Sequence, residues 1–172
     1  GCDWLVGSSH KLCGPTGMGF LWGRRELLEQ APPFLGGGEM IDEVFLERST
    51  WAALPHKFEA GTPAIGEAVG MGSALQYLKS IGLEAIHHWE QQLTAHLWER
   101  LAAIDGIRLL GPSPQQQPDR AALAAFVLEG LHANDVAALL DAYGICIRSG
   151  HHCTQPLHRL LGLSGSARAS LA

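Results

Sequence analysis

The sequence predicts an α/β fold on three observations. Short apolar runs of strand length sit between glycines, longer segments repeat apolar residues every three or four positions, and a strand, helix, strand order closes the chain. With 172 residues there is room for one large domain or one and a half small ones.

At the front, "CDWLVGSSHK" is an apolar run ending in small polar residues, the pattern of a buried parallel strand that opens into a loop. "GMGFLWGRRELLEQAPP" predicts a strand, "GFLWG", and a short helix stopped by Pro32 and Pro33, because proline lacks the amide proton and clashes with the preceding turn. "FLGGGEMI" predicts a loop whose three glycines either take positive φ or let another chain or ligand come close. An irregular stretch, "DEVFLERSTWAALPHKFEAGTP", follows. Residues 64 to 78 place Ile65, Ala68, Val69, Met71 and Leu75 near helical spacing, predicting a buried helix. Residues 82 to 104 give the longest helical stripe, through Ile86, Trp89, Leu93, Leu97 and Leu101.

"LLGPSPQQQPDR", residues 109 to 120, predicts a loop, and "AALAAFVLEG" a strand. In "HANDVAALLDAYG", Asn134 and Asp135 are candidate helix caps and Gly144 suits the C-terminal end. "ICIRSG" predicts a strand with Ile145 and Ile147 on one face and Cys146 and Arg148 on the other, which makes Cys146 a packed residue. The first strand lacks an obvious partner and "GSARASLA" stops in mid-element, so the chain is expected to be a piece of a longer protein.

Composition narrows the functional classes. A formal net charge of −5 with no basic stripe argues against nucleic acid as a partner. No segment approaches the ~18 uninterrupted apolar residues of a membrane span. Cys2, Cys13, Cys146 and Cys153 lack the close pairing of a secreted disulfide framework, so a reducing compartment, cytoplasmic or plastid-like, is expected.

Two stretches carry candidate chemistry. In "GSSHKLCGPTG", Lys11 follows an apolar strand and precedes a glycine-rich loop. At the mouth of an open sheet a lysine is either a surface residue or a desolvated amine nucleophile. Ser8, Ser9, His10 and Thr16 supply short donors suited to a phosphate. In "RSGHHCTQPLH", residues 148 to 158, Cys153 lies among polar neighbours, which favours an exposed and reactive thiol over a packed one. His151, His152, Cys153 and His158 lack the separated pairs of a structural zinc site, since adjacent histidines on extended chain point opposite ways.

"SSHKLCGPTGMGFLW", "FEAGTPAIGEAVG" and "RSGHHCTQPL", followed by "RASLA", stand in the order and spacing of the group II cysteine desulfurases, a group that includes selenocysteine lyases. The chain resembles that family over nearly its whole length. The resemblance implies a fold type I enzyme dependent on pyridoxal 5'-phosphate, with residues 1–85 as the end of the large cofactor domain and 86–172 as most of a smaller C-terminal α/β domain.

By the same resemblance, Lys11 is the lysine that holds pyridoxal phosphate covalently, and Ser8 and His10 are phosphate-binding positions. Thr62, beside Gly61, reaches the phosphate from the other subunit of a homodimer. Cys153 takes sulfur from L-cysteine as a persulfide, leaving L-alanine, and passes it to an acceptor protein for iron–sulfur cluster assembly. Arg168 holds the substrate carboxylate, and Arg148 lines the same pocket.

Ser9 replaces an expected glycine and Cys13 an expected aromatic residue. The family's aspartate at the pyridine nitrogen, its ring-stacking histidine and much of its phosphate cup precede the lysine strand and are not in this chain, which alone is expected to bind cofactor poorly. Three alternatives stay open: a selenocysteine lyase acting on L-selenocysteine, another class V aminotransferase-like enzyme, or a non-enzymatic sulfur or metal carrier.

Overall fold

A computed structural model describes residues 1–171; the last residue of the expected small domain, Ala172, lies outside them. The chain is a mixed α/β protein that divides into two compact units, Gly1–Gly82 and Leu83–Ala172. No helix among the described residues is long and apolar enough to cross a membrane.

In the first unit, β1 (Trp4–Ser8) pairs antiparallel with β2 (Gly19–Gly23), Trp4 opposite Gly23 and Ser8 opposite Gly19. The first strand is therefore neither parallel to its neighbour nor without a partner, as the apolar run had suggested. The connection is shorter than the dozen or more residues a parallel crossover needs, so the chain folds straight back. Trp4, Leu5 and Val6 stay exposed in this two-stranded sheet.

Helix α1 (Arg25–Gln30) stops at Ala31, whose φ of −69° and ψ of 136° are the extended geometry that a following proline imposes. Its last carbonyls are capped from a distance: Lys57 Nζ donates to Leu28 O at 3.0 Å and Glu29 O at 2.8 Å. The triple glycine does form a loop, but none of Gly36, Gly37 and Gly38 has positive φ; Glu39 takes that role at 69°. The close approach is within the chain itself. A Cβ on Gly37 would stand 3.4 Å from the Gly61 nitrogen, and Gly61 N–H donates to Gly38 O at 2.9 Å.

The stretch expected to be irregular contains a hairpin, β3 (Ile41–Val44) against β4 (Ser49–Trp51). Helix α2 (Ile65–Ile81) then forms as its spacing predicts, but it is not buried. Met71 and Ala74 are its buried residues, while Ile65, Val69 and Leu75 are exposed.

The second unit opens with α3 (Leu83–Ala102) and strand β5 (Ile107–Leu110), which claims Leu109 and Leu110 from the expected loop. Then come β6 (Leu123–Leu128), α4 (Ala133–Asp141), β7 (Arg148–Gly150), α5 (Gln155–Leu160) and β8 (Ser166–Ser170). The sheet order is β5-β6-β8-β7, every pair antiparallel. Strands β6 and β7, joined through α4, consequently run the same way with β8 inserted between them.

Register sorts the side chains. Phe126 faces Ala167 and Leu109, and these lie on the helix-covered face with Ala133 and Val136 of α4. Burying a phenylalanine of this kind contributes about 1.5–3 kcal/mol. Alternation puts Ser166 and Arg168 on the opposite face of β8. At the start of α4 the cap is His132, whose Nδ1 accepts from Asn134 N–H at 3.2 Å, rather than Asn134 or Asp135. Gly144 does follow the helix with φ of 73°. Residues 145 to 147 are not strand, and Cys146 is exposed rather than packed. Ile147 reaches the core, whereas Ile145 does not.

Candidate active site

In the first unit, Lys11 ends a one-turn 3-10 helix, Ser9–Lys11, that follows β1 directly. It is exposed, and no ion pair or side-chain hydrogen bond among the described residues engages it. The turn is anchored by its buried first residue. Ser9 N–H donates to Met18 O at 2.9 Å, and Ser9 O accepts from Leu12 N–H and Gly14 N–H. Glycine at position 14 lets the loop close over this residue, because a Cβ there would stand 2.1 Å from Ser9 Oγ and displace it. That hydroxyl is fully buried without a partner, a donor held unspent beneath the lysine turn.

Ser8 is half-buried at the strand end with no capping bond, and His10 is exposed beside Lys11. Helix α2 backs this loop, since a Cβ at Gly70 would lie 2.9 Å from Pro15 Cγ. Thr62 is exposed in the segment entering α2. A primary amine without a counter-ion, flanked by hydroxyl and imidazole donors, is a donor set that fits a phosphorylated aldehyde.

In the second unit the chemistry gathers on the face of the sheet away from its core. Arg148 of β7 is the register partner of Arg168 of β8, and Gly150 of Ser166. Past β7 the backbone leaves the extended region, with φ of 50° at His152 and 61° at Cys153. Two consecutive left-handed residues other than glycine cost about 1–2 kcal/mol each, so tertiary contacts must hold them. Thr154 N–H and Oγ1–H both donate to His151 O, at 2.8 and 2.7 Å.

His158, only 4% exposed on α5, sits under this turn. Its ring lies 5.4 Å from that of His151 and 5.9 Å from that of His152. The two adjacent histidines thus converge instead of pointing apart, because the left-handed backbone at His152 cancels the alternation of extended chain. Among the described residues no group of three or more His, Cys, Asp or Glu is placed to hold a metal ion.

Tautomers follow from partners. His158 Nδ1–H donates to Thr154 O at 3.0 Å, which leaves Nε2 to accept from Ser166 Oγ–H at 3.0 Å. His152 Nε2–H donates to Ser166 O at 3.0 Å, and its Nδ1 is buried without a partner. Burial holds the His152 imidazole below its ordinary pKa. The Ser166 carbonyl pulls it up, and Arg168, His158 and Arg148 push it down. Ser166 is the hub of both histidines, and sequence reasoning missed it. Its only trace in the sequence is its place two residues before Arg168, which puts both on one strand face. Cys153 itself is exposed, as are Cys2, Cys13 and Cys146.

Comparison with known proteins places the chain. The aminotransferase class-V family model matches residues 1–172. The chain belongs to the class-V aminotransferase family. Among its class-V relatives, the probable cysteine desulfurase of Synechocystis is 62% identical over 170 residues, covering 99% of this chain and 40% of that protein. Of solved structures, the cysteine desulfurase CsdA of Escherichia coli, in its S-sulfonic acid form, superimposes with a TM-score of 0.88. It shares 39% identity, over 99% of this chain and 41% of that one. The apo cysteine desulfurase of Thermococcus onnurineus gives a TM-score of 0.90 at 39% identity, over 98% of this chain and 42% of that one. The chain spans about 40% of the length of the curated relatives it matches.

Proposed function

We propose that the protein carrying this chain is a pyridoxal-phosphate-dependent cysteine desulfurase that converts L-cysteine to L-alanine and keeps the sulfur as a persulfide on Cys153. The observation that carries the reading is the exposed Cys153 thiol, set in a left-handed turn beside a sheet face that pairs Arg148 with Arg168. The desulfurase names of its relatives support it.

Residues 1 to 85 are read as the end of the cofactor domain and residues 86 to 172 as the small domain. Lys11, Ser8 and His10 would hold pyridoxal phosphate, and the fully buried Ser9 hydroxyl without a partner is a further donor at that turn. Bound there, the cofactor supplies an electron sink for the carbons of an amino acid. Lys11 Nζ takes and returns protons, for which an amine with no ion pair among the described residues is suited. Thr62, exposed ahead of α2, completes the phosphate site of a second subunit, so the active form is a homodimer.

Arg168 and Arg148 fix the substrate carboxylate, their planar forks matching its two oxygens. Sγ of Cys153, as thiolate, attacks the sulfur of the substrate. The carbon–sulfur bond breaks, a sulfur–sulfur bond forms, the carbon fragment gains a proton and leaves as L-alanine, and the two sulfurs are oxidised to the persulfide level. An acceptor protein then removes the outer sulfur, as iron–sulfur cluster assembly requires.

The test is spectroscopic and chemical, on the intact protein loaded with pyridoxal phosphate. Lys11→Ala is expected to lose the long-wavelength absorbance of covalently held cofactor and to stop L-alanine release. Unchanged absorbance and L-alanine release in that variant would overturn the reading. Turnover of L-selenocysteine far above L-cysteine by the wild type would reassign the substrate.

A further inference from the structure

Outside the residues already given roles, one buried group is wired to the Cys153 turn. His158 is 4% exposed and Ser166 is 1% exposed, and their side chains bond to each other at 3.0 Å. The imidazole reaches the turn through Nδ1–H to Thr154 O at 3.0 Å, at the residue next to Cys153. Its other nitrogen reaches β8 through Ser166, two residues ahead of Arg168 on the same face. The Ser166 carbonyl meanwhile holds His152, the residue before Cys153. Both neighbours of the cysteine are therefore tied to one residue of the arginine strand, one directly and one through His158.

We infer that His158 is a positioning residue: with Ser166 it clamps the left-handed turn so that the Cys153 thiol keeps a fixed place relative to the carboxylate-binding Arg168. The inference rests on the desulfurase reading, since it concerns how the thiol is presented to a substrate anchored by Arg168. A fixed side chain on β8 and a strained turn on the far side of a loop need such a link. Cys153 and His152 would otherwise relax toward the right-handed or extended backbone that these residues prefer. His158 makes no contact with solvent that would suit it to proton exchange, and its ring nitrogens are both occupied. Its contribution is geometric.

The experiment is single-turnover persulfide formation from L-cysteine in the intact, cofactor-loaded protein, measured by mass spectrometry of the Cys153 peptide. His158→Leu removes both bonds, Ser166→Ala removes only the hydroxyl, and His158→Asn restores a donor near the Nδ1 position. We expect His158→Leu to slow the step about ten- to hundredfold, the scale of a sub-ångström to ångström misplacement. The half-saturating L-cysteine concentration and the cofactor absorbance should stay within about twofold, since Arg168 and Lys11 are untouched. His158→Asn should recover most of the rate, and Ser166→Ala should fall between.

A wild-type rate in both His158→Leu and Ser166→Ala overturns the clamp. So does a loss in His158→Leu that comes with lost cofactor absorbance or a collapsed melting temperature and is not repaired by His158→Asn while Ser166→Ala is unaffected, because that is a plain packing role. If the wild type forms no persulfide at Cys153 at all, the desulfurase reading itself falls and the clamp with it, an outcome distinct from the first two.

Discussion

Arg148 and Arg168 stand directly opposite each other across the β7–β8 ladder, so two guanidinium side chains share one face of the sheet. Like charges in direct register are destabilising, and the pair persists without an acidic neighbour among the ion pairs of the described residues. Arg168 spends Nε on Ser170 Oγ at 3.1 Å, which leaves its terminal nitrogens available. An anion bridging the two forks would offset the repulsion between them.

This arrangement predicts the result of Arg168→Lys. A lysine keeps the charge but loses the planar two-point contact, at a cost of about 1.5–3 kcal/mol for hydrogen bonds to a charged group. The L-cysteine concentration for half-maximal turnover should rise on the order of ten- to hundredfold. Steady-state kinetics of the cofactor-loaded protein check this, and an unchanged value would remove Arg168 from the carboxylate site.

His152 gives a pH prediction whose sign follows from its surroundings. Its folded pKa is lowered, chiefly by burial, so it lies below the ordinary value of roughly 6.5 that the unfolded chain shows. As pH falls through about 6.5 the unfolded chain takes up a proton that the folded ring refuses. Stability from this group is therefore full above that pH and declines below it, until the folded ring protonates as well. His152→Gln keeps a donor toward Ser166 O and removes the titration. In urea unfolding between pH 5 and 8, the wild type should lose more stability on acidification than His152→Gln does; parallel curves would contradict the assignment.

What could be read from sequence depended on how local its cause was. Helices α2 and α3 were legible because their apolar spacing is a property of the segment itself, and α1 because Pro32 and Pro33 end it whatever surrounds it. The β3–β4 hairpin was not, since "FLER" at its bend carries no glycine or asparagine to announce a turn. Burial of α2 was misjudged for a related reason. Its periodicity fixes which residues align, and the partner that would cover them is a tertiary matter. The residue types of the candidate site, Lys11 and Cys153, stood out by their neighbours. The clamp of His158 and Ser166 did not, because it joins α5 to β8 through side chains whose meeting depends on the left-handed turn between them.

That same turn decides between two thiols. Cys146 and Cys153 are both exposed, so accessibility alone does not separate them, contrary to the expectation that Cys146 is packed. What differs is placement. Cys146 precedes β7 with no side-chain hydrogen bond among the described residues, whereas Cys153 follows His152 in a turn fastened to Ser166 and Thr154. An alkylating reagent in excess should therefore label both, while sulfur transfer should use one. After the intact, cofactor-loaded protein is given L-cysteine with labelled sulfur, the label should be found on Cys153. Cys146→Ala should retain it in full. Cys153→Ala should lose the persulfide and sulfur delivery to an acceptor protein while keeping the cofactor absorbance, because in the proposed reading the covalent hold on the cofactor falls to Lys11 and not to the thiol. Label on the Cys153→Ala protein in normal yield, or label concentrated on Cys146 in the wild type, would show that placement in the left-handed turn is not what selects the sulfur-accepting cysteine.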